Sequence, residues 1–126
     1  MNFPDGLKYT EDHEWVKIDG NIATIGITDH AQSELGDVVY IDIDEDLENV
    51  TKGEDFGTIE AVKTVADLLA PLTGSVSAIN TDINDSPELV NSDPYGEGWM
   101  IKIEYENIAE IDELMDADKY KELVGE

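Results

Sequence analysis

Gly57-Thr58-Ile59-Glu60-Ala61-Val62-Lys63-Thr64-Val65-Ala66-Asp67 is the stretch from which the fold is read. Apolar residues alternate on both sides of its centre, the period of half-buried strands, so segments 56–62 and 65–70 are expected to form a hairpin with Lys63 at its tip. That lysine is the only basic side chain between Lys52 and Lys102. An amine in this position covers no core, which is where a chain places one meant for modification.

Outward from the hairpin, the same alternation predicts strands over 14–18, 21–27, 37–43, 74–79 and 99–105. Asp19-Gly20 is a turn signal between the first two. Thr28 is placed to cap a short helix ending at Leu35, with Gly36 as its stop. Ser86-Pro87-Glu88 has the form of a helix start, a cap followed by proline at the first helical position. Near the end, Ile108, Ile111, Leu114 and Met115 recur at helical spacing, and Tyr120, Leu123 and Val124 follow a cap at Asp116, giving a helical segment over about 107–124.

Two stretches resemble two others. Gly36-Asp37-Val38-Val39-Tyr40-Ile41 matches Gly74-Ser75-Val76-Ser77-Ala78-Ile79, and Gly53-Glu54-Asp55-Phe56-Gly57-Thr58-Ile59 matches Gly96-Glu97-Gly98-Trp99-Met100-Ile101. Two such halves packed face to face would make a flattened, mainly β barrel sandwich, with the Lys63 hairpin where one half passes into the other. Chance likeness of glycine turns is the alternative.

Composition limits what such a domain does. The 126 residues fit one domain, expected to span 1–126. Seven basic residues, all lysines, face 31 acidic ones, for a formal net charge of -24. Nucleic acid and anionic membrane are excluded as partners, because affinity for phosphate comes largely from basic side chains. The charge favours basic patches on other proteins, an attraction that salt weakens. A solvated surface suited to a salty environment accounts for most of the carboxylates.

Cysteine is absent, which removes disulfides, thiolate nucleophiles and zinc-thiolate sites. Any sulfur chemistry must be brought in. No apolar run is long enough to span a bilayer, and Met1-Asn2-Phe3-Pro4-Asp5 lacks the features of a signal or transit peptide, so a cytoplasmic monomer is expected. His13 and His30, without cysteine, make a thin ligand set and are assigned surface or capping roles; Trp15 and Trp99 are assigned to the core. Asp42-Ile43-Asp44-Glu45-Asp46 opens like a calcium loop, but Leu47 and Gly53 stand where the turn glycine and bidentate glutamate belong. No catalytic or specific metal-binding residues are assigned.

His13-Glu14-Trp15-Val16, Ala23-Thr24-Ile25-Gly26-Ile27-Thr28-Asp29-His30-Ala31-Gln32, the Gly57 to Asp67 stretch and Asn91-Ser92-Asp93-Pro94-Tyr95-Gly96-Glu97-Gly98-Trp99-Met100-Ile101-Lys102 together resemble the H protein of the glycine cleavage system. The likeness runs through nearly the whole chain in order. It implies a lipoyl-type barrel sandwich with lipoate in amide linkage on Lys63, framed by Glu60, Val62 and Thr64. It also implies a carrier that does not itself catalyse. The glycine dehydrogenase (decarboxylating), or P protein, would load an aminomethyl group; the aminomethyltransferase, or T protein, would pass its carbon to tetrahydrofolate; dihydrolipoamide dehydrogenase, or L protein, would reoxidise the arm. Pyridoxal phosphate, tetrahydrofolate and FAD/NAD belong to those partners, and a lipoate ligase or lipoyltransferase attaches the arm.

The family further implies a cleft in which the loaded arm folds back. The position of Glu14 contacts the aminomethyl group, with Asp67 and Asp12 as further members of the cleft. Many family members carry a small hydroxyl residue where this chain has Asp12. Three alternatives stand beside this reading: a donor that relays lipoate to other enzymes, a biotin carrier, and an unmodified acidic interaction domain. Biotin carriers set their lysine between methionines, whereas Val62 and Thr64 flank Lys63.

Overall fold

A computed structural model describes residues 2–125; Met1 and Glu126, the ends of the expected domain, lie outside the described residues. The elements run β1 (Lys8–Tyr9), β2 (Glu14–Asp19), β3 (Ile22–Ile27), α1 (Asp29–Leu35), β4 (Val38–Ile43), β5 (Asn49–Val50) and β6 (Asp55–Ala61). They continue with β7 (Val65–Leu69), β8 (Gly74–Ile79), α2 (Asp82–Asp85), α3 (Leu89–Ser92), β9 (Ile101–Tyr105), α4 (Ile108–Asp112) and α5 (Ala117–Val124). All seven expected strands form, within two residues at each end. The two-residue strands β1 and β5 were not expected, because two residues are too few to show a period.

Two antiparallel sheets result, one in the order β1-β2-β3-β9-β8-β5 and one in the order β4-β6-β7. Their inward residues share one core: Ile25, Ile101 and Ile103 from the larger sheet meet Ile41, Ile59 and Leu68 from the smaller. Each is almost fully buried, and full burial of such a side chain contributes about 1.5–3 kcal/mol. The chain is a mainly β sandwich, as its alternation requires.

The matching stretches take matching positions. β4 pairs with β6 and β8 with β9, and each pair carries a bulge at the same point of the repeat, between Val38 and Tyr40 in one and between Val76 and Ala78 in the other. One pair lies in each sheet. Chance likeness would not reproduce the bulge.

Local signals were obeyed at α1 and α5. Thr28 accepts a hydrogen bond from Ala31 N–H, Gly36 stops α1 at φ +81°, and Asp116 caps α5 by accepting from Lys119 N–H. The proline signal held in part. Ser86 closes α2 and caps no helix with its side chain, and the turn after Pro87 is the short α3 with Glu88 at its start. Ile108 and Leu123 stay exposed, since α4 and α5 are too short to bury more than a narrow stripe, chiefly Ile111, Ala117 and Tyr120.

A second core joins the chain ends. Tyr9 stacks on Tyr120 with ring centroids 4.8 Å apart, and Phe3 meets Tyr120 edge-on at 5.3 Å. Trp15 is buried here and its indole N–H donates to Pro94 O at 2.8 Å. Trp99 is only half-buried and precedes β9, with Lys102 Nζ 5.2 Å from its ring centroid. Its core assignment holds in part.

Candidate functional site

The turn joining β6 to β7 is closed by Ala61 N–H donating to Thr64 O at 2.9 Å, leaving Val62, Lys63 and Thr64 exposed at its tip. Val62 N–H donates to Asp37 O at 3.0 Å, which pins the tip to the turn after α1. Gly36 makes that approach feasible: a Cβ there would stand 3.1 Å from Val62 Cγ2 and 3.4 Å from Lys63 carbons. Lys63 Nζ reaches over α1 to Ser33 O at 3.4 Å. The amine lies on the surface, on a fixed base.

Beside the hairpin lies a cleft of about 180 Å³ between α1, β2 and the open edge of the smaller sheet. Ile27, Ala31, Leu35, Ile59 and Leu68 give it an apolar floor, while Asp12, Glu14, Glu34 and Asp67 supply carboxylates. Asp12, Glu34 and Asp67 are exposed on its rim, and Glu14 is buried inside. The structure therefore brings together Glu14, Asp67 and Asp12, all three expected. Glu34 was missed because α1 has to fold before residue 34 faces residue 12.

Glu14 heads β2 opposite Ile27, and its backbone N–H donates to Thr10 Oγ1 at 3.2 Å while the Thr10 hydroxyl donates back to Oε1 at 3.1 Å. Burial pushes its pKa from 4.5 to about 8, with neighbouring Asp12 adding to the rise and hydrogen bonds from Thr10 and the Leu69 backbone opposing it. At neutral pH the carboxyl holds a proton. A cationic amine entering the cleft would favour ionisation and release that proton.

Glu14 also forms part of a second cavity of about 280 Å³, whose lining includes Asp12 and the ion pair of Lys52 and Glu113. Glu14 thus stands between two cavities.

One hydroxyl braces the cleft. Tyr120 Oη lies 2.9 Å from His13 Nδ1 and 2.8 Å from Thr28 Oγ1, so it links the residue between Asp12 and Glu14 to the cap of α1. His13 is the one non-glycine residue among those described with positive φ, at 69°. Its ring lies 4.8 Å from that of His30, and burial, then His30, lowers its pKa. His13 therefore helps build the cleft wall with His30 packed against it, a pairing that their 17-residue separation in sequence did not suggest.

The cleft's chemistry fits an arm that starts at Lys63. Its apolar floor suits an aliphatic chain and its inner carboxyl suits an amine, so the residues present fit a lipoyl group bearing an aminomethyl cargo. A family profile described as glycine cleavage H-protein matches residues 7–126.

The chain belongs to the glycine cleavage H-protein family.

Full-length relatives agree. A glycine cleavage system H protein of Bacteroides fragilis is 52% identical over 125 residues, 99% of each chain. One of Staphylococcus carnosus is 48% identical over 126 residues, the full length of both. The crystal structure of a glycine cleavage system H protein from Mycobacterium marinum superimposes with a TM-score of 0.89 at 36% identity, covering 98% of this chain and all of that one. The sandwich of two pseudo-repeated halves is thus the H-protein fold. No helix of the described residues is long and apolar enough to cross a membrane.

Proposed function

We propose that this H protein carries lipoate in amide linkage on Lys63 and shuttles the aminomethyl group of glycine between enzymes of the glycine cleavage system. It is the carrier of that system and not a catalyst. The observation that supports the attachment point most is the exposed Lys63 amine on a pinned hairpin beside a cleft with an apolar floor and one buried carboxyl. When attached, the lipoyl group supplies the dithiolane that accepts the aminomethyl carbon.

The chain's own residues do three things. The hairpin holds the amine in one place, so a tethered arm meets each partner at an effective concentration of about millimolar or more. Ile27, Leu35, Ile59 and Leu68 exclude water from the stem of a folded-back arm. Glu14 binds the ammonium end by a charge-assisted hydrogen bond worth about 1.5–3 kcal/mol, after giving up its proton. With a pKa of about 8, that release costs about 1.4 kcal/mol at pH 7. The cleft therefore holds its cargo loosely enough to return it.

The proposed partners are the P protein with pyridoxal phosphate, the T protein with tetrahydrofolate, the L protein with FAD and NAD, and a lipoate ligase or lipoyltransferase. We place the chain with them in the cytoplasm. Intact-mass measurement after incubation with a lipoate-attaching enzyme tests the reading. One lipoyl increment, lost in Lys63→Arg, is expected; an increment that survives the substitution places the arm elsewhere. A reconstituted glycine decarboxylation cycle separates the carrier from a lipoate-relay donor, which would accept lipoate yet support no turnover.

A further inference from the structure

Six large hydrophobic side chains are exposed among the described residues, and four of them surround the Lys63 hairpin: Val39 at 56%, Tyr40 at 50%, Val62 at 67% and Val65 at 59%. Single exposed valines are ordinary, but a contiguous group marks an interaction site. Strand register sets Tyr40 and Val65 on one face, on either side of Glu60. Tyr40 on β4 stands opposite Glu60 on β6, and Glu60 stands opposite Val65 on β7, forming one cross-strand row on the outer face. Residues so paired have Cβ atoms about 4.5–5.5 Å apart. The next row, Ile41, Ile59 and Ala66, faces the core.

The bulge between Val38 and Tyr40 enlarges this surface. Strict alternation would bury one of two successive residues, but the extra residue in β4 lets both Val39 and Tyr40 reach solvent. Val62 extends the group to the tip, where its N–H bond to Asp37 O fixes it. Exposed carboxylates accompany these side chains: Glu60 lies within the row, between Tyr40 and Val65, Asp42 and Asp67 occupy the next outward row across Thr58, and Asp37 adjoins Val62.

We propose that this outer face of the β4-β6-β7 sheet docks the lipoate-attaching enzyme, through an apolar ledge bordered by lysine or arginine at the mouth of that enzyme's active site. The acidic rim requires the basic border. A second copy of the chain would set one acidic rim against another at a formal charge of -24 each. Position selects the attaching enzyme among the partners. Enzymes that act on the arm's sulfurs reach its far end, whereas the attaching enzyme must reach Nζ itself, at the root beside Val62 and Tyr40. There the amine attacks the activated lipoyl carbonyl that the enzyme brings; an amide bond forms, the bond to the activating group breaks, and a proton leaves the nitrogen. The cleft floor is formed by the inward Ile59 and Leu68, and the cleft meets the outer face only at its border, where Asp67 belongs to both.

This inference rests on Lys63 being the attachment point, and the experiment separates the two. Rates of lipoyl incorporation, read by intact mass, are measured for the wild-type chain, the double variant Val39→Ser/Tyr40→Ser, the single variant Val65→Ser on a different strand, and Leu123→Ser on distant α5. A roughly tenfold or greater fall in kcat/KM is expected for the double variant and a smaller one for Val65→Ser, both as raised KM with kcat and melting temperature nearly unchanged. Leu123→Ser should match wild type. Wild-type kcat/KM in both patch variants overturns the docking face while leaving Lys63 as the attachment point. Absence of any increment in the wild-type chain overturns the carrier reading and the docking face with it. A wild-type dimer that the double variant dissolves would reassign the surface to a second copy.

Discussion

Glu14→Gln should make the folded chain more stable in alkali, an unusual outcome for altering a binding residue. In the fold, Glu14 keeps its proton up to about pH 8, whereas in the unfolded chain it loses it near 4.5. Folding therefore takes up a proton between those values. Because the native pKa is the raised one, the contribution to stability is complete below about pH 4.5 and is lost as pH rises toward 8. Each pH unit is worth about 1.4 kcal/mol, so the whole window amounts to on the order of 5 kcal/mol. Water reaching the carboxyl past the exposed Asp12 and Asp67 would reduce this to about half, which for a chain of this size shifts the melting temperature by about 10 °C.

Glutamine keeps the shape of the protonated acid and can still accept from the Thr10 hydroxyl, but it does not titrate. Thermal or urea unfolding of both proteins from pH 5 to pH 9 reads the difference. The two should agree near pH 5 and diverge upward, with the variant more stable by about 10 °C at pH 8. Parallel profiles would refute a buried, proton-holding Glu14. The same linkage applies to cargo: while the amine remains cationic, retention of the loaded arm should strengthen up to tenfold per pH unit until about pH 8 and then level off.

Tyr120→Phe removes the hydroxyl shared by His13 and Thr28 and leaves the buried Thr28 hydroxyl without that partner. A loss of about 1–3 kcal/mol, or about 4–10 °C in melting temperature, is expected, together with a shorter lifetime of the aminomethyl-loaded form; wild-type values of both would remove Tyr120 as the brace. Gly26→Ala would place a Cβ 2.6 Å from the Trp15 ring. Overpacking of about 1–3 kcal/mol and a shifted tryptophan emission are expected, and unchanged emission and stability would show that the ring yields without cost.

Much of this was legible because the informative signals are local. Alternation located every long strand, Thr28 and Asp116 marked their helices, and the matching glycine stretches anticipated two equivalent halves, though not the bulge that each carries. Lys63 at a hairpin tip followed from the same alternation. Pro87 did open a turn that leads into α3, but Ser86 does not cap it with its side chain and the helix stops at Asp93 after four residues. The cleft was harder. Family resemblance named Glu14, Asp67 and Asp12, but Glu34 and Tyr120 join them only through packing across 20 or more positions of sequence, which no local period records. The exposed Val39 and Tyr40 were likewise hidden, because they look like ordinary members of a strand until the bulge is seen.

The hydrogen bond from Val62 N–H to Asp37 O makes the hairpin a fixed pivot rather than a hinge. A carrier that bent at its backbone would spread its search over loop motions and lose track of its own cleft. For an arm attached at Lys63 as proposed, the backbone sets an origin, and any sweep belongs to the side-chain torsions beyond its Cα. Cleft and partners are then reached from a common centre, and handing over cargo becomes a choice among nearby radii of one sphere. Loosening that single backbone bond would blur all of those destinations together.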